Sequence, residues 1–280
     1  MLVSSKVLNG INGIAIIPGD KSISHRSIII PCITNGVSQI TNILKSTDVM
    51  NTINAFKLMG VQIEETKESI TIYGKGLNSL SKPVKNIDLG NSGTSARLLI
   101  GLLSAQNFKT HLIGDHSLSK RPMKRIIYPL IKMGAEITSN NHKLPIAING
   151  KQLHGIKYLL EIPSAQVKSG IMLAALFAKN KTEIIEKQIT RNHTEIMLES
   201  FNADINVKKK DKQNHIYISG QKELSPKNIN IPSDLSSASF FIVAALINKN
   251  SYIEMKNINL NPTRDGILKA LNLMGAKLFI

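Results

Sequence analysis

The chain contains an internal repeat, because the same junction recurs four times at intervals of about 70 residues. At each junction a short apolar stretch meets a small polar residue and then a long apolar segment. The junctions lie at residues 20–22, 91–94, 164–166 and 233–234. A second marker keeps the same spacing, at residues 59–60, 133–134, 201–202 and 274–275. Recurrence at a fixed period predicts one supersecondary unit that is copied along the chain, each copy burying its apolar face against its neighbours.

The second copy shows the order of elements within one unit. Its pattern predicts strands at 85–89 and 110–113, helices at 94–104 and 122–133, and a hairpin of 136–138 with 144–148. The other copies follow the same order, with helices at 24–34, 48–59, 164–178, 192–201 and 263–274, and hairpins through Ile63 and Ile72 and through 203–207 and 215–219. The unit is therefore βαβαββ, and the chain is predicted to be an α/β protein with three complete units and part of a fourth.

The fourth copy begins at Ser233, and its last residues, up to Ile280, are predicted to form the strand that opens a hairpin. An unpaired apolar strand would leave an exposed sheet edge, which native proteins avoid. We therefore expect the sequence to be shortened at its C-terminal end.

Each copy presents a helix N-terminus, where free backbone N–H groups and the helix dipole favour anions. The first of these starts is the most polar, since Lys21 and Arg26 lie there beside the hydroxyls of Ser22 and Ser24. Such a cluster can surround a phosphate. An ordinary capped helix whose basic residues face solvent explains it equally well.

Similar groups occur at the later starts. Residues 90–94 place two glycines around Asn91 and Ser92, and residues 164–169 supply hydroxyl, amide and ammonium donors, although N-capping accounts for both patterns. Arginines stand at the start of the second helix in three copies: Arg121 with Arg125, Arg191 and Arg264. A cation opposes the dipole at a helix N-terminus. A bound anion would remove this conflict, and surface salt bridges are the alternative.

The charge balance predicts an acidic partner, because 35 lysines and arginines against 19 aspartates and glutamates give a net charge of +16. The run Lys208–Lys210 could contact nucleic acid, but it lies where a solvated hairpin tip is predicted. Aromatic residues make up only 4% of the chain and tryptophan is absent, so bases have few stacking partners. Small phosphorylated or carboxylated substrates explain the charge without nucleic acid.

The remaining features favour an ordinary cytoplasmic protein. No apolar run is long enough to span a membrane, and no secretory signal precedes the first repeat. Cys32 is the single cysteine, which suits a reducing compartment and a place in the core. The seven histidines lack metal-ligand spacing, and no phosphate-loop or dinucleotide fingerprint is present, so neither a metal nor a cofactor is expected.

Six segments, in order along nearly the whole chain, resemble the 5-enolpyruvylshikimate-3-phosphate synthase family: 18–27, 89–97, 120–123, 164–169, 190–198 and 261–264. The resemblance implies transfer of the enolpyruvyl group from phosphoenolpyruvate to the 5-hydroxyl of shikimate 3-phosphate, with release of phosphate, in the biosynthesis of aromatic amino acids. It also implies the inside-out α/β barrel of that family, in which two domains of three units each close on the substrates.

The resemblance assigns roles by position. Lys21 would contact both substrates and take part in proton transfer. The residues implied to hold shikimate 3-phosphate are Lys21, Ser22, Arg26, Ser164, Ala165, Gln166 and Arg191. Those implied to hold phosphoenolpyruvate are Lys21, Asn91, Gly93, Arg121 and Gln166.

By the same resemblance, residues 21–228 would form a complete three-unit domain, and residues 1–20 and 229–280 an incomplete portion of the second. The family's aspartate base would then fall beyond Ile280, so we expect the 280-residue chain alone to be inactive or nearly so. The full-length protein is expected to be a monomer. The alternatives are the sister transferase that acts on UDP-N-acetylglucosamine, and a non-catalytic remnant that only binds.

Overall fold

A computed structural model describes residues 9–280, and twelve of its strands form three four-stranded sheets of one design. Strand β1 (Asn12–Ile14) precedes the first unit. The first unit comprises α1 (Lys21–Cys32), β2 (Asn35–Thr41), α2 (Thr47–Leu58), β3 (Gln62–Glu65) and β4 (Ser69–Lys75). The second comprises β5 (Ile87–Asp88), α3 (Gly93–Ser104), β6 (Lys109–Ile113), α4 (His116–Lys120), α5 (Lys124–Lys132), β7 (Glu136–Asn140) and β8 (Lys143–Asn149).

The third unit and the residues after it complete the described chain. The third comprises β9 (Lys157–Leu160), α6 (Ala165–Ala175), β10 (Lys181–Glu186), α7 (His193–Ser200), β11 (Asp204–Lys210) and β12 (Gln213–Ser219). After it come β13 (Ile229–Asn230), α8 (Leu235–Ile247), β14 (Tyr252–Glu254) and α9 (Gly266–Leu273). The predicted repeat of βαβαββ units is confirmed by this order.

The sheets share one pairing pattern, a parallel pair followed by two antiparallel pairs. Their strand orders are β13-β2-β4-β3, β5-β6-β8-β7 and β9-β10-β12-β11. The opening strand of the first sheet is β13, which follows the third unit in sequence and pairs in parallel with β2. The three units are therefore closed by a strand just beyond residue 228. The predicted domain boundary remains a prediction, and this pairing argues for placing it a few residues later.

The first helix of each copy is capped by the polar residue at its junction. Asp20, Ser92, Ser164 and Asp234 each accept a hydrogen bond from a backbone N–H in the first turn of α1, α3, α6 and α8. Such caps satisfy donors that the helix itself leaves free. Other N–H groups in these first turns lack partners within the helix and point toward the space beyond the helix start.

Two apolar clusters hold these elements together. The larger joins the three complete units and includes the buried apolar residues of α1, α3 and α6. In it α3 and α6 approach closely, since a Cβ on Gly101 would lie 2.0 Å from the carbonyl oxygen of Gly170. The smaller cluster packs Ile17 against Leu235, Ala238, Ile242 and Leu268. Because α3 and α6 lie side by side, their N-termini open onto the same surface.

Several boundaries differ from the sequence predictions. The predicted helix 122–133 starts at Lys124, after the short α4 and the extended Arg121. Arg121 is extended because a proline disfavours helical geometry at the residue before it. Lys208–Lys210 lie within β11, and the hairpin turn is formed by Asp211 and Lys212, which take positive φ. Residues 277–280 form no strand. No helix in residues 9–280 combines the length and apolar character needed to cross a membrane.

Candidate functional site

The N-termini of α1, α3 and α6 border a cavity of about 510 Å³. Its lining residues are Lys21, Asp48, Asn91, Gly93, Thr94, Arg97, Arg121 and Gln166. All five residues that the resemblance implies for phosphoenolpyruvate therefore lie around one cavity, although they come from three separate units. Their roles remain predictions.

Hydrogen bonds between units fix the geometry of this cavity. The Gln166 amide donates to Thr94 Oγ1 over 2.9 Å, which ties the start of α6 to the start of α3. The opposite end of the same amide accepts from Arg97 Nη1 at 3.1 Å, and Arg97 Nη1 also donates to the Gly93 carbonyl at 2.9 Å. The Gln166 side chain is thereby oriented before any ligand arrives, which lowers the cost of binding.

Positive charge in the cavity exceeds negative charge. Three cations line it, whereas Asp48 is the one carboxylate in the described lining, and it is ion-paired with Lys21. Burial, and then the charges of Arg121 and Arg125, lower the pKa of the Arg97 guanidinium. Arg121 donates to the Asn91 side chain, which in turn donates to Asp115 Oδ2 at 2.8 Å. A bound anion would relieve the repulsion between the guanidinium groups of Arg97 and Arg121.

The residues implied for shikimate 3-phosphate divide into two groups. Ser22 and Arg191 are half-buried and meet across two units, with Arg191 Nη1 donating to Ser22 Oγ at 3.3 Å. Burial, and then the nearby charge of Arg264, lower the pKa of Arg191. Ser164 and Ala165 lie at the start of α6 beside Gln166, but they are outside the lining of the 510 Å³ cavity.

Arg26 has a different environment from the one that its sequence position suggests. It is only 4% exposed, and its guanidinium donates to Thr194 Oγ1 at 2.6 Å, Ser169 Oγ at 2.7 Å and the Ser22 carbonyl at 2.8 Å. Burial lowers its pKa to about 10, which leaves it charged at neutral pH. Three protein oxygen atoms therefore accept hydrogen bonds from this guanidinium, and one of them is the backbone carbonyl of Ser22.

Three cavity residues, Asp48, Thr94 and Arg97, were missed by the sequence interpretation. Arg97 follows Gly93 by one helical turn, so the helical period alone would have placed the two on the same face. Asp48 and Thr94 have no comparable signal, because only the packing of α2 beside α1 and of α3 beside α6 brings them to the cavity. In residues 9–280 no cluster of three histidine, cysteine or carboxylate side chains suited to a metal is found.

The fold and the cavity together define an α/β protein of repeated βαβαββ units whose helix starts surround a basic cleft. The sequence profile of EPSP synthase (3-phosphoshikimate 1-carboxyvinyltransferase) matches residues 6–278. The chain belongs to the EPSP synthase family, and the resemblance inferred from its motifs is confirmed.

Relatives of known name agree with this assignment. The 3-phosphoshikimate 1-carboxyvinyltransferase of Ruthia magnifica subsp. Calyptogena magnifica is 52% identical over 274 residues, which cover 98% of this chain and 62% of the relative. That of Streptococcus agalactiae is 48% identical over 273 residues, covering 96% and 63%. An EPSP synthase structure from Acinetobacter baumannii superposes with a TM-score of 0.89 at 45% identity, covering 96% of this chain and 61% of that one. The chain thus spans about three fifths of the length of these relatives.

Proposed function

We propose that this chain binds phosphoenolpyruvate and shikimate 3-phosphate and belongs to an enzyme that transfers the enolpyruvyl group to the 5-hydroxyl of the latter, releasing phosphate. The observation that carries the proposal is the convergence of all five implied phosphoenolpyruvate residues on one basic cavity. Both substrates are multiply anionic, which fits an excess of cations at converging helix N-termini.

In the proposed reaction, the 5-hydroxyl gives up its proton as its oxygen adds to the enol carbon of phosphoenolpyruvate, and the methylene carbon takes up a proton. The tetrahedral intermediate then loses phosphate and a proton to form the enolpyruvyl ether. Lys21 is the group proposed for proton transfer, since it lies at the start of α1 on the cavity wall. Arg121 and Arg97 would stabilise the negative charge of the departing phosphate.

Shikimate 3-phosphate is proposed to lie beside this cavity, against Ser22, Ser164, Ala165, Gln166 and Arg191. Ser22 and Arg191 already contact each other, so one phosphate could accept from both. We assign Arg26 to the same site through its bond to the Ser22 carbonyl. Gln166 would touch both substrates, since it belongs to the cavity and to the first turn of α6.

Isothermal titration with each substrate tests this proposal. Arg121→Ala removes a guanidinium from the cavity wall and is expected to weaken phosphoenolpyruvate binding about 100-fold in the presence of shikimate 3-phosphate, because a charge-assisted contact to an anion is lost. Arg125→Ala is the matched control, since it removes the same charge from an exposed position four residues further along, in α5. Equal losses in both variants would indicate a general charge effect, and would count against the assigned site.

A second titration separates the alternatives. UDP-N-acetylglucosamine is expected not to bind, and saturable binding of it in place of shikimate 3-phosphate would favour the sister transferase. Binding of neither ligand would favour a remnant. Nucleic acid is expected not to compete with either substrate.

Turnover by the 280-residue chain alone is expected to be absent or very low. Asp48, the carboxylate in the described lining, is engaged by Lys21 and is poorly placed to act as a free base. A coupled assay for released phosphate checks this expectation, and steady turnover would contradict it. We further propose that the enzyme acts in the cytoplasm. At full length it is proposed to be a monomer, and sedimentation of the full-length protein would test its oligomeric state.

A further inference from the structure

A network of buried charges lies in the third unit beside the candidate site. Lys168 is fully buried, and its Nζ lies 2.9 Å from Glu186 Oε2 and 2.5 Å from Glu195 Oε1. Both carboxylates are almost fully buried as well. Two carboxylates with one ammonium leave a negative charge, and buried charges are stable only when they are paired and hydrogen-bonded.

Arg26 supplies the second positive charge. It donates to Thr194 Oγ1 and Ser169 Oγ, which lie 2.7 Å apart and belong to the residues next to Glu195 and Lys168 in sequence. The charge of Glu195 partly offsets the lowering of the Arg26 pKa by burial. Two cations and two carboxylates therefore balance one another in the interior.

One carboxylate of this network also holds a surface loop. Glu186 is the last residue of β10, and its Oε1 accepts from the Thr190 hydroxyl at 2.6 Å and from the Thr190 backbone N–H at 3.2 Å. Thr190 directly precedes Arg191, which donates to Ser22 Oγ. The loop between β10 and α7 is thus tied to the interior at the residue next to the implied phosphate contact.

We propose that Glu186, acting through Thr190, is a positioning residue that holds Arg191 in place for the phosphorylated substrate. The inference rests on the proposed function, because it assumes that Arg191 contacts shikimate 3-phosphate. Glu186 is buried and cannot touch the ligand. A guanidinium held in place before binding loses less conformational freedom when the anion arrives, so the anchor raises affinity without adding a contact.

Three variants isolate the anchoring bond. Thr190→Val removes the hydroxyl at nearly constant volume and is expected to raise the dissociation constant of shikimate 3-phosphate roughly tenfold, the typical effect of one hydrogen bond to a charged group. Thr190→Ser keeps the hydroxyl and should restore binding. Thr182→Val is the matched control on β10, the strand that carries Glu186, because the buried Thr182 hydroxyl has no hydrogen-bond partner among residues 9–280.

A double-mutant cycle with Arg191→Lys distinguishes positioning from a general structural role. Arg191→Lys keeps the positive charge, so binding stays measurable. Lysine lacks the planar guanidinium whose orientation the Thr190 anchor is proposed to set. In that background Thr190→Val is expected to change the dissociation constant less than about twofold, since the two residues act as one unit.

The outcomes are distinguishable from a failure of the proposed function. Unchanged affinity in Thr190→Val, or a full tenfold loss in the Arg191→Lys background, would overturn the anchoring inference while leaving the substrate assignment in place. No binding of shikimate 3-phosphate by the unmodified chain would overturn the proposed function, and the inference with it.

Discussion

Replacing Gly93 by alanine probes the geometry of the cavity with a single methyl group. Gly93 is the first residue of α3 and its φ is not positive, so alanine fits the backbone. The new Cβ would lie 2.9 Å from Arg97 Nη1 and 3.0 Å from Arg121 Nη1, whereas ordinary contact begins at 3.4 Å. The two guanidinium groups must therefore move by about 0.5 Å and about 0.4 Å. Both atoms are the ends of flexible side chains, so the fold can absorb the shift.

The substitution should weaken the binding of phosphoenolpyruvate and not that of shikimate 3-phosphate. Displacing two charged donors by about half an ångström weakens charge-assisted hydrogen bonds, and a loss of about 1.4 kcal/mol corresponds to a tenfold weaker affinity for phosphoenolpyruvate. Shikimate 3-phosphate, which is assigned to Ser22 and Arg191, should bind within about twofold of the unmodified affinity. Unfolding stability should be unchanged or higher by up to about 1 kcal/mol, because alanine is the better helix former.

Titration calorimetry with each ligand, phosphoenolpyruvate being added after saturation with shikimate 3-phosphate, provides the assay, and urea unfolding supplies the stability. The reasoning is refuted if phosphoenolpyruvate binds Gly93→Ala with unchanged affinity. It is equally refuted if both ligands weaken together, or if the variant loses stability, since either result would mean that the helix start had moved as a whole.

Two further predictions concern buried groups. Lys168→Met should lower the free energy of unfolding by about 3–5 kcal/mol, because it strands two buried carboxylates. Lys157→Met, which breaks an ion pair whose lysine is exposed, should cost less than about 1 kcal/mol. Similar urea midpoints for the two variants would contradict this. Burial, and then the charges of Arg26 and Lys21, lower the pKa of His25 from 6.5 to about 3, so the unfolded chain binds the proton more readily and stability falls as pH drops from 6.5 toward 3. His25→Gln should flatten that slope, by at most about 1.4 kcal/mol per pH unit; parallel stability profiles of the variant and the unmodified chain would disprove the assignment.

Local patterns were sufficient for the elements of the fold. The alternation of apolar residues in the hairpins and the capped apolar helices predicted the helices and hairpins of all three units in order, apart from α4, because these signals depend on neighbours within one turn or one strand. The closing strand β13 was missed, since two residues carry no periodic signal and their pairing with β2 is a contact across about 190 residues. The short α4 was also missed, because the sequence interpretation did not show that Pro122 separates two helices.

The candidate site shows the same division. Asn91, Gly93 and Gln166 could be singled out as residues at helix starts, but nothing local relates α3 to α6. The close approach at Gly101 and Gly170 is what brings Thr94 within reach of Gln166. Arg26, whose role in holding shikimate 3-phosphate stays a prediction, also donates to protein groups, because α1 packs against α7 and presents Thr194 to it.

By itself the sequence determined the repeat, the capped helix starts, the excess of positive charge and the motifs of the family, since each of these can be read from residue types and their spacing along the chain. The tertiary structure alone decided which helix starts share one cavity, which arginine faces it and which is buried, and how Glu186 reaches the loop that carries Arg191. The cavity and the placement of the arginines depend on contacts between units, from 69 residues apart for Arg97 with Gln166 to 168 for Arg26 with Thr194, where packing selects one arrangement from many that the local patterns allow. Glu186 and Thr190 are only four residues apart, but their loop has no periodic signal, and the burial of Glu186 against Lys168 is a tertiary contact.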